Sequence, residues 1–176
     1  MARTKKLTLC AVLLSLALVL SYAERFFPLQ LIVPLPGIKL GLANIVSLVS
    51  LYLLGGKSAF IILALRCILA SAFGGGFSAL MFSLTGGIFS MVVMMLSRKA
   101  PFLSVYGVSI LGAAAHNIGQ ICVSMAVMHS PYIGAYLPYL LIVALFTGFA
   151  TGAAGSGILR VLSNIDPKHA RKPTRE

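Results

Sequence analysis

The sequence predicts an all-α membrane protein: a compact bundle of six transmembrane helices with both termini in the cytoplasm. Three observations predict it. Apolar side chains make up 59% of the 176 residues, and the mean hydropathy is +1.01. Charged residues reach only 10%, against about 25% in an ordinary soluble domain. The Lys and Arg residues lie at the ends of the apolar runs or outside them, with Arg66 as the exception. Lipid cannot satisfy a backbone N–H or C=O, so such runs are read as helices. Barrel strands would alternate apolar and polar residues, and these runs do not.

The chain reads as one integral membrane domain over residues 1–176. Residues 1–6 (MARTKK) are basic and lead into the first apolar run, 7–23. That start resembles a secretory signal, with Ser21-Tyr22-Ala23 as a small-x-small site. We read it as an uncleaved first span, because the later spans then give a consistent topology. Residues 24–40 hold Pro28, Pro34 and Pro36, which break any helix, yet the segment is apolar. It is expected to act as a lid over the helices. The second span is 41–54 and the third 58–73, both shorter than the ~20 residues usually needed. The fourth (77–96), fifth (103–128) and sixth (138–162) are longer, and a basic tail, 163–176, follows.

Six spans put both termini on one side, and charge then tests the orientation. Eleven Lys and Arg residues fall on the terminal side and only Arg25 and Lys39 on the other. Cytoplasmic loops carry such an excess, so both termini are expected in the cytoplasm. The net charge of +11 is thereby a topology signal, and nucleic acid is not an expected partner. Cys10, Cys67 and Cys122 lack CxxC or His/Cys spacing, so neither a disulfide framework nor a metal site is expected. The small-residue face Gly148-x-x-x-Gly152-x-x-x-Ser156 is read as helix packing, either within the bundle or against a partner subunit.

The polar residues inside the apolar runs carry the functional reading. Arg66 sits near the centre of SAFIILALRCILASAF (58–73). A guanidinium at that depth costs about 2.5–3.5 kcal/mol on insertion scales, so a partner, water or ligand must compensate it. On the fifth span His116 and Gln120 are four apart and share a face, with Asn117 adjacent to it. Asn44 lies near the outer end of the second span. If these faces converge, Arg66, His116, Asn117, Gln120 and Asn44 line one outward-facing cavity, with Lys39 at its mouth. The alternative is a hydrogen-bonded network between helices, whose bonds average only about 0.6 kcal/mol. Glu24 is the one acid near the apolar part, a possible ion-pair partner for Arg66, Arg25 or Lys39. With no acid inside the bundle, a carboxylate proton relay or cation site is disfavoured, and an anionic ligand fits better.

Residues 36–44 (PGIKLGLAN), Arg66 in its span, 83–90 (SLTGGIFS) and 116–120 (HNIGQ) together resemble a family of bacterial membrane proteins. It is named the Gx transporter family and also labelled heptaprenyl diphosphate synthase component I. The family is similar to the substrate-binding membrane subunits of energy-coupling-factor transporters. The resemblance implies a six-helix bundle in the cytoplasmic membrane with a lid after the first helix. It also implies an alternative role, as a membrane component or anchor for isoprenoid, quinone or extracellular electron-transfer systems. Prenyl synthases hold diphosphate through magnesium on Asp-rich motifs. This chain has three acids in all and none paired, so it is not expected to be an enzyme in its own right. No cofactor is expected. The leading expectation is a membrane transport subunit for a small, anionic or amphiphilic metabolite, working with an energising partner or an ion gradient.

Overall fold

The computed structural model describes residues 3–26, 41–74 and 76–165, and all its regular elements among these are helical. Helix α1 (Arg3–Ala23) runs into a short 3-10 turn at Glu24–Phe26. Then follow α2 (Asn44–Leu54), α3 (Gly56–Ala72) and α4 (Gly76–Ser97). Helix α5 (Val105–Met128) is joined by a 3-10 turn, Pro131–Tyr136, to α6 (Leu137–Ile165). Lys39, most of the expected lid (residues 27–40) and the end of the tail (166–176) lie outside the described residues.

Helix ends depart from the hydropathy boundaries by a few residues, for local reasons. Helix α1 begins at Arg3 and carries Lys5 and Lys6 in its first turns. Hydropathy marks where a helix is apolar, whereas caps mark where it stops. Helix α5 starts at Ser104, whose side chain accepts the Gly107 N–H at 3.3 Å, and stops at His129 in the left-handed conformation. Between α2 and α3 a single residue, Gly55 at φ +84°, reverses the chain.

Four of the helical stretches are long and apolar enough to cross a membrane: Thr4–Ala23, Gly76–Ser97, Val105–Met128 and Pro131–Asn164. The protein is therefore a multi-pass membrane protein in its helical composition. The second and third elements are shorter. The 11 residues of α2 reach about 16 Å, and the 17 of α3 about 25 Å, against a ~30 Å hydrocarbon core.

The short α2 is at the centre. Its Leu48 and Leu51 join a core with Leu63 of α3, Met91 and Met94 of α4 and Val108 of α5. Its Val46 and Val49 join a second core with Leu13 and Ala17 of α1, Ile62 of α3 and Leu159 of α6. Long exposed apolar side chains such as Val12, Val19, Phe89, Phe146 and Phe149 cover the outside of the bundle. A water-soluble protein rarely exposes so much contiguous apolar surface, whereas a lipid-facing one must.

Helices α4, α5 and α6 are held together through glycine. A Cβ at Gly119 of α5 would stand 2.9 Å from Gly86 Cα and 3.1 Å from the Thr85 carbonyl oxygen of α4. A Cβ at Gly148 of α6 would meet Ile110 Cα of α5 at 2.6 Å, and one at Gly152 would meet Tyr106 Cα at 3.1 Å. The small-residue face of α6 is thus used inside the bundle, against α5. Hydrogen bonds reinforce the same seam: Ser109 and Thr151 hydroxyls lie 2.8 Å apart, and Ser156 donates to Tyr106 Oη at 3.1 Å.

Three basic residues mark the ends of α1, α3 and α4. Lys6 of α1 lines a groove with Ser58 of α3, and Lys57 is the residue before it. Arg98, just beyond α4, donates to the Leu51 carbonyl at the end of α2 and lies 4.6 Å above the Tyr52 ring. The guanidinium satisfies a terminal carbonyl and sits at the negative end of the α2 dipole.

Candidate functional site

The site forms where α1 ends, α2 begins and α3, α4 and α5 are half-way along. Its geometry starts from α2. The turn leading into α2 lies near His116, which is half-way along α5. Gly41, at φ +80°, turns the chain into that helix, and a Cβ there would lie 2.8 Å from Asn44 Nδ2 and 3.9 Å from His116 Cδ2. Gly41 thus lies against both Asn44 and His116. The N–H groups of this turn are used locally: Asn44 donates to the Gly41 carbonyl at 2.8 Å and Ile45 to the Leu42 carbonyl at 3.0 Å.

The Leu42 N–H donates to Glu24 Oε1. A carboxylate, 7% exposed, thus sits at the positive end of the α2 dipole. The same carboxylate lines a cavity of ≈ 20 Å³ with Arg66 and His116. Ser21 of α1, Gly41, Cys67, Ala70 and Ser83 complete its described wall. A volume of that size takes about one water.

Arg66 is 5% exposed. Its Nη2 lies 3.9 Å from Cys67 Sγ, a weak acceptor, and its Nε is buried without a partner. Among the described residues it makes no ion pair, even with Glu24 in the same cavity. Among the described wall residues Glu24 and Arg66 bring opposite charges, and the Arg66 Nε donor is unused. A buried donor left unmade costs about 1–3 kcal/mol, more when charged.

His116 projects from α5 onto α4. A Cβ at Gly86 would approach its Nδ1 and Cε1 to 3.0 Å, so this glycine makes room for the imidazole. Gln120 and Ser124 continue the same α5 face, both fully buried, and neither Gln120 amide atom has a partner. Ser90 Oγ, near Gly112 one turn the other way, is also buried and unpartnered.

The polar residues singled out from the sequence thus divide. Arg66, His116 and Glu24 meet at the cavity, with Asn44 beside them. Asn117 turns to α6 instead, and its Nδ2 donates to the Leu140 carbonyl at 2.8 Å. Gln120 lies a turn beyond His116 and is not among the described cavity residues. Lys39 lies outside the described residues. Ser21, Cys67, Ala70 and Gly41 are wall residues that sequence reasoning had not singled out. Their only signal was helical spacing: Cys67 and Ala70 flank Arg66 at one and four residues. The described residues contain no group of three or more His, Cys, Asp or Glu able to hold a metal ion.

A family model described as heptaprenyl diphosphate synthase component I matches residues 13–158, most of the chain. The match covers α1 from its middle onward and α2 to α5, and ends late in α6, so it includes every residue of the cavity. Neither a curated protein nor a solved structure matches the chain.

Proposed function

We propose, from the premise that the chain belongs to the heptaprenyl diphosphate synthase component I family, that it is a membrane subunit binding the anionic group of a small or amphiphilic metabolite beside Arg66. In this reading all six helices enter the bilayer and both termini are cytoplasmic. The basic end with Lys6, Lys57 and Arg98 faces the cytoplasm, as the charge rule requires. Helix α2 then reaches only to mid-depth, and its N-terminus points its dipole at the site, as half-helices do in transporters.

Arg66 neutralises the ligand, while His116 and Asn44 orient it. Asn117 and Gln120 act as a supporting polar set, and Lys39 contributes at the mouth under the lid formed by residues 24–40. Glu24 supplies the balancing charge while the site holds no ligand. The observation that carries the reading is the guanidinium of Arg66, 5% exposed, with its Nε unpartnered and no ion pair among the described residues. The cavity of ≈ 20 Å³ is far below the ~300–1,000 Å³ of ligand pockets, so binding requires the α1 end and Glu24 to move away. Because the sequence contains no ATP-binding motif, movement of the ligand across the membrane draws on an energising partner or an ion gradient.

The test is calorimetric binding of inorganic diphosphate and of a short prenyl diphosphate to the purified protein. Both bind the wild type, and Arg66→Ala weakens them at least about thirtyfold, roughly 2 kcal/mol. The variant keeps its helix content and its membrane insertion. Equal affinity in the variant removes Arg66 from the site.

A second reading rests on the family description, which names one component of a synthase. Here the chain is a non-catalytic membrane component beside a prenyl-synthesising enzyme. Its three acids, none adjacent, offer no magnesium-diphosphate motif, so catalysis resides in the partner. Co-purification with such an enzyme, unchanged by Arg66→Ala and without a bound small molecule, selects this reading.

A further inference from the structure

The residue before Arg66 faces the other way. Leu65 is 42% exposed and belongs to the wall of a second cavity, a groove of ≈ 500 Å³ between α1 and α3. From α1 its wall takes Lys6, Cys10 and Leu14, and from α3 it takes Ser58, Ile61 and Leu65. The volume lies within the ~300–1,000 Å³ of small-molecule sites. Apart from its basic end, the wall is apolar. Ile61 is 58% exposed, so the groove opens sideways on the outer surface of the bundle, where the other exposed apolar side chains lie.

The groove is polar at one end only. Lys6, exposed and without a partner among the described residues, stands there beside Ser58 and the first turn of α3. The first N–H groups of a helix have no carbonyl behind them, and that terminus carries partial positive charge. Lys57, also exposed, adds a second ammonium next to Ser58. From Lys6 to Leu14 the apolar wall runs about 12 Å along α1. A cationic end followed by an apolar trough is complementary to an anionic head with a linear hydrocarbon chain.

We infer that this groove binds an anionic phospholipid taken laterally from the bilayer, its phosphate at Lys6, Lys57 and the α3 N-terminus, and one chain along Cys10, Leu14, Ile61 and Leu65. The site is separate from the Arg66 cavity, and the inference does not depend on what that cavity binds. One basic residue near the surface favours an anionic lipid by about fivefold.

The chain contains no Trp, so one introduced indole gives the only Trp emission. Ile61→Trp places it on the groove wall, and Phe146→Trp, at a side chain 72% exposed on α6, serves as the lipid-facing reference. Each is reconstituted in phosphatidylcholine vesicles doped with either brominated-chain phosphatidylglycerol or brominated-chain phosphatidylcholine. Bromine quenches the indole on contact. At position 61 the anionic lipid quenches with an apparent affinity at least about fivefold higher than the zwitterionic one, and at position 146 the two are equal. Adding Lys6→Glu and Lys57→Glu to Ile61→Trp brings the ratio to one. Equal quenching by the two lipids at position 61 overturns the inference, as does an equally large preference at position 146 or its survival in the charge-reversed variant. Should Ile61→Trp fail to fold, Leu65→Trp on the same wall replaces it.

Discussion

Glu24 and Arg66 line one buried cavity, 7% and 5% exposed, and yet Arg66 makes no ion pair with the carboxylate. Glu24 is held by the Leu42 N–H at the start of α2. The two opposite charges thus share one cavity wall, with Glu24 fixed to the turn before α2. Replacing Glu24 by Gln keeps an oxygen for Leu42 but leaves Arg66 and the helix terminus uncompensated. Thermal unfolding in detergent should show a loss of about 1–3 kcal/mol. The same change removes the competing carboxylate, so anion affinity should rise. In the Glu24→Gln/Arg66→Met double variant the stability loss should be smaller than the sum of the singles. Strict additivity would show that the two side chains do not interact.

Gly119 and Gly157 are both helical glycines with opposite surroundings. At Gly119 a Cβ would press on the backbone of Thr85 and Gly86, which cannot yield as a side chain does. Gly119→Ala should lower stability by about 1–3 kcal/mol through overpacking. Because His116 packs on the same Gly86, ligand affinity should fall with it. At Gly157 nothing lies within 4 Å. Gly157→Ala should be neutral or gain up to about 1 kcal/mol from helix propensity. Melting temperatures of the two variants, compared in one detergent, check the pair.

Asn117 is predicted to be worth little. Its bond to the Leu140 carbonyl joins α5 to α6, and interhelical bonds of this kind average about 0.6 kcal/mol. Asn117→Ala should cost no more than about 2 kcal/mol by thermal unfolding, and should change anion affinity far less than Arg66→Ala does. A loss of binding equal to that of Arg66→Ala would place Asn117 at the ligand itself.

Arg98 ties the end of α2 to α4 through the Leu51 carbonyl and the Tyr52 ring. Arg98→Met should destabilise by about 1–2 kcal/mol, from the stacked cation and the terminal carbonyl together. Arg98→Lys should recover only part, because an ammonium lacks the planar fork that serves both partners at once. Full recovery by Lys would mean that charge alone matters at this position.

Much of the architecture was legible in the chain because lipid leaves few choices. Apolar runs must become helices, so their number and approximate places follow from composition. The helical period put His116, Gln120 and Ser124 on one face of α5, and all three are buried together. Small residues at four-residue spacing in α6 marked a close contact, and the sequence left its partner open. Folding chose α5, because Gly148 and Gly152 let the two backbones approach at Ile110 and Tyr106.

The convergence of the polar residues was not legible. Period alone places Asn117 next to His116, but only the position of α6 turns its amide onto Leu140 and away from Arg66. Period alone also gives no reason for Glu24 to enter the same cavity. That depends on the turn before α2, whose Leu42 N–H meets Glu24 at the end of α1. The sequence by itself determined that the chain is helical, rich in lipid-compatible surface, and burdened with a guanidinium in an apolar run. Tertiary structure alone decided which groups answer that charge. Burial in lipid is a property of each segment, whereas compensation of a buried charge depends on distances between segments far apart in the chain.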